Sequence, residues 1–134
     1  MPTLEDLNVR FSADRFATEA AGAKILEAEE GHALCAMDLL PIHLNAAGRP
    51  MGGAVFTLAD FAFAVAANGF SDRVTVSQQT SITFLSPGKG HRFLAEARCL
   101  RAGRTTCLYT VEVRDEVGTK VAFVTINGYT LPSR

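Results

Sequence analysis

RPMGGAVFTLADFAFAVAANGF, residues 49–70, is the most apolar stretch of this 134-residue chain. It predicts a helix from Gly53 to about Asn68 that is apolar on all sides and is ended by Gly69. A membrane span is disfavoured because Asp60 lies at its centre, where an acidic side chain costs about 2.5 to 3.5 kcal/mol. A helix buried in the core of a globular protein needs the same apolar surface, and this is the reading that the sequence favours.

Strand-like runs lie on both sides of this helix. Two short runs in AKILEAEEGHALCAMDLL precede it, joined by the turn at Glu30-Gly31. Four runs follow it, RVTVSQQTSITFLS, HRFLAEARCLR, RTTCLYTVEVRD and TKVAFVTINGYTL, with turns at Pro87-Gly88, Ala102-Gly103 and Val117-Gly118. Because these turns are short, neighbouring strands are expected to pair antiparallel. Near the N-terminus, helical spacing predicts one helix that ends at Gly22 and shares a face between Leu4, Leu7, Phe11 and Phe16.

One long apolar helix and a set of long strands predict an α+β domain over residues 1–134. A single strongly curved antiparallel sheet wrapped around the central helix supplies most of the cover that the helix needs. A second subunit supplies the rest, and a small sheet leaves an edge to pair. We therefore expect a homo-oligomer.

Composition excludes several classes of function. The net charge of −1 gives no electrostatic case for a nucleic acid or an anionic membrane. The three cysteines have no metal-type spacing, and the scattered histidines do not complete a ligand set, so no metal site is expected. An odd cysteine count without a secretory leader predicts reduced thiols and a cytoplasmic location.

Asp60 is the first candidate catalytic residue. No Lys, Arg or His lies within eight residues of it on either side. A carboxylate in an apolar helix either has a buried hydrogen-bonding partner or lies in a cleft where it acts. Desolvation would raise its pKa toward that of a useful general base. The alternative is a structural Asp that caps a neighbouring loop.

Gly52 and Gly53 open the buried helix. Backbone N–H groups at a helix N-terminus are free, and the helix dipole there favours negative charge. Such a group suits an oxyanion that develops on a substrate carbonyl, and glycine lets a ligand approach the backbone closely. The alternative is that the pair only permits a tight turn and close helix-sheet packing.

The spacing of these residues predicts a shared site. Asp60 lies eight residues after Gly52, about 12 Å along one helix. A base and an oxyanion donor must each come within about 3 Å of their targets. Two antiparallel helices from two subunits meet this requirement, whereas one helix hardly does. We expect two composite sites per dimer.

HLNAAGRPMGGAVFTLADFAFAVAAN, SQQTSITFLSPGKG and RAGRTTCLYTVEV together resemble the hotdog-fold acyl-CoA thioesterases of the phenylacetate-pathway, PaaI-like type. The resemblance runs from about residue 13 to residue 129. The family pattern is an Asn, a Gly, then His-Gly-Gly, then a helix that carries Leu-Ala-Asp. Its positions correspond here to Asn45, Gly48, Gly52-Gly53 and Leu58-Ala59-Asp60.

The resemblance implies a hotdog fold and hydrolysis of an acyl- or aryl-acyl-CoA. It assigns the Gly52 N–H to the thioester carbonyl, and Asp60 to activating water or attacking the carbonyl itself. Asn45 would bind the water or orient the substrate, unless it only forms a turn. Ser77 matches a Ser or Thr position that assists the Asp or its water. The family habit is a tetramer made of two dimers.

Met51 departs from the pattern, because the family has His before the two glycines. Methionine offers only a weak acceptor and an apolar shape. If the His only shapes the loop, activity is reduced but present. If it is essential, the protein is a non-catalytic acyl-CoA binder, and this alternative stays open.

Coenzyme A is expected along the outside of the sheet, as part of the substrate, and no cofactor is required. Candidate phosphate contacts are Lys89, Arg101 and Arg104, which lie in glycine-containing turns. Helix residues Phe56, Phe61 and Phe63 lie on the apolar face that could line the acyl groove, but most of them are expected to belong to the core. A hotdog dehydratase is a further alternative with His43 as its nearest candidate, but His43 fits no dehydratase motif.

Overall fold

The computed structural model describes residues 1–133. It contains two helices, α1 (Leu4–Phe11) and α2 (Gly52–Asn68), and six strands. The strands are β1 (Lys24–Glu29), β2 (His32–Asp38), β3 (Thr75–Phe84), β4 (Arg92–Ala102), β5 (Thr106–Asp115) and β6 (Lys120–Thr130). A π-helical turn (Phe16–Ala20) and a 3-10 turn (Pro41–His43) complete the secondary structure.

All six strands form one antiparallel sheet in the order β1-β2-β4-β5-β6-β3. The helix α2 contacts every strand of this sheet. Nearly all buried hydrophobic residues, eight of which belong to α2, form one core. The predicted α+β architecture, with one antiparallel sheet and one long helix, is therefore confirmed.

The expectation that all neighbouring strands pair is wrong for β3 and β4. β3 pairs with β6 at one edge of the sheet, whereas β4 lies between β2 and β5. The link 85–91 runs across the ends of the intervening strands, because the Leu85 N–H donates to the Val121 carbonyl and the Lys89 N–H to the Asp115 carboxylate. Pro87 and two glycines give the chain this irregular path.

The predicted N-terminal helix is shorter than expected. α1 begins with a capping box between Thr3 and Asp6 and ends at Phe11. The Ser12 hydroxyl donates to the Val9 carbonyl, a local bond that competes with the helix. The predicted shared face does not form, because Leu7 is buried but the Phe16 side chain is 70% exposed.

One stripe along α2 stays in contact with solvent. Its members share one face of the helix: Gly53, Phe56, Thr57, Asp60, Ala64 and Ala67. The sheet covers the opposite side of the helix. A single subunit therefore leaves the Asp60 face of its central helix open.

The two edges of the sheet differ. At β1, the Asn8 side chain accepts from the Ile25 N–H and donates to the Ile25 carbonyl, both at 3.3 Å, so α1 occupies that edge. At β3, the Asn68 amide pairs with Thr75 in the same way. Beyond Thr75, β3 has only β6 as a partner strand among residues 1–133.

Two further structural findings concern residues 1–133. None of the helices in this range has the length and apolar character needed to cross a membrane. Its three cysteines, Cys35, Cys99 and Cys107, are free thiols.

Candidate active site

The N-terminus of α2 has free N–H groups. Met51 is the N-cap residue, and its side chain makes no capping hydrogen bond. The Met51 carbonyl starts the helix by accepting from the N–H of Ala54, at 3.0 Å, and of Val55. Within residues 1–133, the N–H groups of Gly52 and Gly53 donate to no acceptor. Two unpaired donors therefore stand at the positive end of the helix dipole.

The two glycines differ in what an added side chain would meet. A methyl group on Gly52 would lie 2.9 Å from the Phe84 ring, so close packing contributes to the choice of glycine there. A methyl group on Gly53 would meet only the Met51 Cε atom, at 4.0 Å. The fold therefore tolerates a larger residue at position 53, where an open cavity adjoins the backbone.

Asp60 lies on the open stripe of α2. Burial raises the pKa of its carboxyl group, the negative charge of Asp14 raises it further, and a hydrogen bond from the Ser77 hydroxyl on β3 partly opposes the rise. The structure therefore brings the predicted pair Asp60 and Ser77 together. It also places Asp14, which the sequence pattern does not single out, close enough to act on Asp60.

Gly52 and Asp60 are not brought together within one chain. Both belong to α2, eight residues apart and thus separated by about 12 Å along its axis. An oxyanion held at the start of this helix is out of reach of the same helix's carboxylate.

Asn45 builds the turn that leads into α2. Its side-chain oxygen accepts from the N–H of Ala47, at 2.9 Å, and of Arg49, at 3.1 Å. Its backbone pairs with Gly48 and Arg49. Asn45 thus has the turn-forming role considered from the sequence. Its side-chain NH₂ group donates to no acceptor in the described chain.

His43 is a structural residue. Its Nδ1 atom accepts from the Leu40 N–H at 3.1 Å, and its Nε2 atom donates to the Ala20 carbonyl at 2.8 Å. The ring is buried, and the backbone carbonyl of His43 accepts from the Met51 N–H. Because both ring nitrogens are in use, His43 is not available for the proton transfer that a dehydratase requires.

The three predicted phosphate contacts do not form one cluster in a single subunit. Lys89 lies near the start of β4, whereas Arg101 and Arg104 lie at its other end, roughly 30 Å away at about 3.3 Å per residue. Instead, Lys89 lines a groove of about 400 Å³ with Arg49 and His91. Arg49 also lines an adjoining cavity of about 500 Å³ that reaches Gly52.

An apolar cavity of about 460 Å³ lies on the other side of the start of α2. Its walls include Phe16, Ile42, Met51, Gly53 and Phe56. Of the three phenylalanines proposed for an acyl groove, only Phe56 lines this cavity.

Phe61 and Phe63 are both 2% exposed and belong to the core, as expected for most of these phenylalanines. Phe61 packs edge-on against Phe11, and Phe63 packs edge-on against Tyr109.

Comparisons with known proteins identify the family and the fold. Residues 48–122 match the thioesterase superfamily. The acyl-coenzyme A thioesterase PaaI of Escherichia coli K12 is 33% identical over 105 residues, which make up 78% of this chain and 74% of that protein. The solved structure of the E. coli PaaI protein from the phenylacetic acid degradation operon has a TM-score of 0.85 and 27% identity, covering 94% of this chain and 92% of that one. The Streptococcus mutans UA159 protein smu.793, solved bound to acetyl CoA, has a TM-score of 0.77 and 28% identity, covering 84% of this chain and 90% of that one.

Proposed function

The chain belongs to the thioesterase superfamily, and from that premise we propose that it hydrolyses acyl-CoA thioesters at two equivalent sites, each shared between two subunits. The predicted PaaI-like hotdog fold is confirmed by the likeness to the E. coli protein. Thioester hydrolysis is the activity of the family and of that relative. The shared site is our own proposal and rests on the geometry of α2.

One observation carries the proposal: a single helix bears free N–H donors at its start and a carboxylate of raised pKa on its open face. The Gly52 N–H of one subunit binds the thioester oxygen and stabilises the charge that develops on it. Asp60 of the second subunit then acts on the carbonyl carbon, either through a water molecule that it deprotonates or by direct attack. Coenzyme A leaves as the thiol, and the acid is released.

Two further side chains support this chemistry. The Ser77 hydroxyl, which faces Asp60, holds the carboxylate or its water in place. The free NH₂ group of Asn45 lies in the turn that enters α2 and orients the water or the substrate. Water is the only co-reactant of the proposed step, and coenzyme A enters as part of the substrate.

The dimer is supported by the surfaces that one subunit leaves open. The stripe through Asp60 is uncovered, and β3 has an unpaired edge, whereas α1 occupies the edge of β1. A second copy that packs antiparallel on this stripe brings its α2 start toward Asp60. A tetramer of two such dimers remains a prediction.

The CoA portion of the substrate is assigned to the cationic groove. Arg49, Lys89 and His91 line it, and it leads away from Gly52 through the adjoining cavity. Positive groups beside glycine-containing turns bind diphosphate well. Arg104 lies near the C-terminal end of α2. Arg73, five residues after that end, donates from its guanidinium group to the Arg104 carbonyl at 3.3 Å. An antiparallel partner would bring Arg101 and Arg104 to the site from that side.

The role of Asp60 is tested by measuring free thiol released from a panel of acyl-CoA thioesters. Asp60→Asn should lose at least about a hundredfold in kcat, which is the rate enhancement that one general base contributes. Asp38→Asn, which changes an exposed carboxylate in a loose ion pair, is the control and should keep activity. Equal activity of wild type and Asp60→Asn would overturn the assignment.

The Gly52 donor is tested by a matched pair of variants. Gly52→Pro removes the N–H at the first helical position, where proline is well tolerated, and the extended Met51 backbone suits a following proline. Gly52→Ala adds a similar contact with Phe84 but keeps the N–H. Gly52→Pro should lose about 10² to 10³ in kcat relative to Gly52→Ala. Equal activities would exclude the donor role.

A non-catalytic acyl-CoA binder is the second candidate, and Met51 is the observation that favours it. Met51 offers the substrate no proton donor where the family has His. Saturable binding of acyl-CoA without thiol release would establish this candidate, and Met51→His would then be expected to gain turnover. A cytoplasmic location is also part of the proposal, supported by the three free thiols.

A further inference from the structure

We propose that the acyl group of the substrate lies in the apolar cavity beside Met51, and that the chain therefore selects CoA thioesters of uncharged, apolar acyl groups. This inference rests on the proposed function, which it extends to a substrate class. Met51, Ile42 and Phe16 are its specificity-determining residues.

The walls of the cavity offer an acyl group no charge. The volume of about 460 Å³ is typical of a small-molecule site. The lining residues are Phe16, Ala20, Ala21, Ile42, His43, Met51, Gly53, Ala54, Phe56 and Thr57. The two polar members are already engaged, because both His43 nitrogens are hydrogen-bonded and the Thr57 hydroxyl donates to the Gly53 carbonyl at 2.8 Å. A carboxylate placed there would find no free donor in the cavity wall to replace the water molecules that it displaces.

The position of the cavity fits one arm of a thioester. A thioester carbonyl joins two chemically different arms, the acyl group and the CoA chain. The start of α2 has a cavity on each side: Gly52 lines the side that continues to Arg49 and Lys89, and Gly53 lines the apolar side. With the carbonyl at the free N–H groups, the charged arm meets cations and the acyl arm enters the apolar cavity.

A second copy of the chain is the other occupant to consider. The shape of the surface favours the acyl group. Asp60, Ala64 and Ala67 continue the open stripe of α2 beyond the cavity and offer a contact surface for a helix. The cavity itself is a hollow beside Gly53, where an added methyl group would meet only the Met51 Cε atom, at the ordinary contact distance of 4.0 Å. The hollow thus lies at the end of the stripe, next to the free N–H groups.

The experiment measures kcat/KM for thiol release from butyryl-, hexanoyl-, octanoyl-, phenylacetyl-, succinyl- and glutaryl-CoA. Each added methylene should raise kcat/KM about fourfold until the cavity is full, the ratio that about 0.8 kcal/mol per buried CH₂ corresponds to. Succinyl-CoA should react about a hundredfold or more slowly than butyryl-CoA, which has the same chain length without the charge.

Two lysine variants give the matched comparison. Ile42→Lys places a cation in the cavity at a side chain that is 75% exposed, so the fold should survive. It should reduce the ratio of butyryl-CoA to succinyl-CoA activity at least tenfold. Val9→Lys changes a similarly exposed apolar side chain on α1, outside the cavity, and should leave the ratio unchanged. The mass of each variant in solution is measured alongside.

The outcomes separate this inference from the proposed function. Thiol release from no substrate would mean that the proposed function fails. Hydrolysis of succinyl- and butyryl-CoA at similar rates would overturn the cavity assignment and leave the hydrolase intact. A change of mass in Ile42→Lys with no change in the activity ratio would assign the cavity to the contact between subunits, and would equally overturn the inference.

Discussion

At the scale of single residues, Asp60 is held where its charged form is disfavoured. Burial and the nearby Asp14 raise its pKa above the ordinary value of 3.8. Below that value the folded and unfolded chains are both protonated, and the residue has no effect on the pH dependence of stability. Above the raised pKa, the folded chain holds a carboxylate that water would solvate better, so Asp60 reduces stability at neutral pH. A group kept at such a cost is a candidate for function.

Substitutions of Ser77 and Asp14 should shift the acid limb of the pH–rate profile in opposite directions. Asp60 acts as a carboxylate, so kcat/KM falls as the pH drops through its pKa. Ser77→Ala removes the hydrogen bond that lowers this pKa, and the limb should move to higher pH. Asp14→Asn removes the charge that raises it, and the limb should move to lower pH. The measurement is kcat/KM between about pH 4 and 8.

Salt supplies the control for this pair. Asp14 is exposed, so added salt should reduce the shift that Asp14→Asn produces and affect that of Ser77→Ala much less. Shifts of the same sign in both variants would contradict the proposed roles.

Gly53 should separate stability from activity. Gly53→Ala introduces a better helix former into open space, so the free energy of unfolding should rise by up to about 1 kcal/mol. The added methyl group narrows the approach to the cavity and the N–H groups, and kcat/KM should fall. Val9→Ala on exposed α1 is the control, since it also improves helix propensity but should keep full activity. Chemical denaturation and thiol release measure the two effects, and a Gly53→Ala variant with full activity would remove position 53 from the site.

Much of the candidate site could be predicted from the sequence, because its members lie on one helix. Gly52, Gly53 and Asp60 follow from their places in a single apolar run. Arg49 and His91 could not be predicted, since they meet Lys89 only after a loop and a crossing link fold together. The signal for Arg49 was its place just before the helix start. The hydrogen bonds that engage both nitrogens of His43 connect residues as far apart as 23 positions, and no local pattern reveals them.

At the scale of elements, the link 85–91 is held by two acidic residues at the end of β5, Asp115 and Glu116. The Asp115 carboxylate is 1% exposed and accepts from the N–H of Lys89, at 2.7 Å, Gly90, Val117 and Thr119. Burial alone raises the pKa of Asp115, but these donors outweigh it and lower the pKa to about 2. Glu116 accepts from the N–H of His91. The groove that carries Lys89 thus depends on the β5–β6 turn.

Asp115→Asn should destabilise the protein in a pH-dependent way. A depressed pKa contributes stability above the ordinary 3.8, and this contribution is lost as the pH falls toward about 2. An asparagine NH₂ group would face two of the four donors. The urea midpoint of Asp115→Asn should therefore lie below that of wild type at pH 7, and the two should converge near pH 2. Asp72→Asn, on an exposed residue, is the control, and a pH-independent difference would contradict the account.

The elements themselves were predictable to different degrees. α2 begins at Gly52, one residue from the expected start, because a long apolar run closely limits where the helix can begin and end. The partner of β3 could not be inferred, since the short turn signal at Pro87-Gly88 is the same for a hairpin and for a crossing link. What decides between them is Asp115, a distant carboxylate that binds the link across two strands.

At the scale of the whole molecule, one subunit is incomplete on one side only. Three of its surfaces are covered. The sheet covers the inner face of α2, α1 covers the edge of β1, and Asn68 at the end of α2 pairs with Thr75, the first residue of β3. The Asp60 stripe and the rest of β3 remain open, and they lie together because Ser77 on β3 faces Asp60. A second copy that covers both also supplies the missing helix start. Assembly and catalysis would then depend on the same surface.

Mixing two inactive variants tests this dependence directly. In a dimer of one Gly52→Pro chain and one Asp60→Asn chain, one site carries both defects and the other carries neither. Random exchange makes half of the dimers mixed, so the mixture should recover about a quarter of wild-type activity, whereas each parent stays inactive. Two different affinity tags establish that mixed dimers have formed. Mixed dimers as inactive as their parents would mean that each site uses Gly52 and Asp60 of the same chain, and the 12 Å separation along α2 would then need a different substrate geometry.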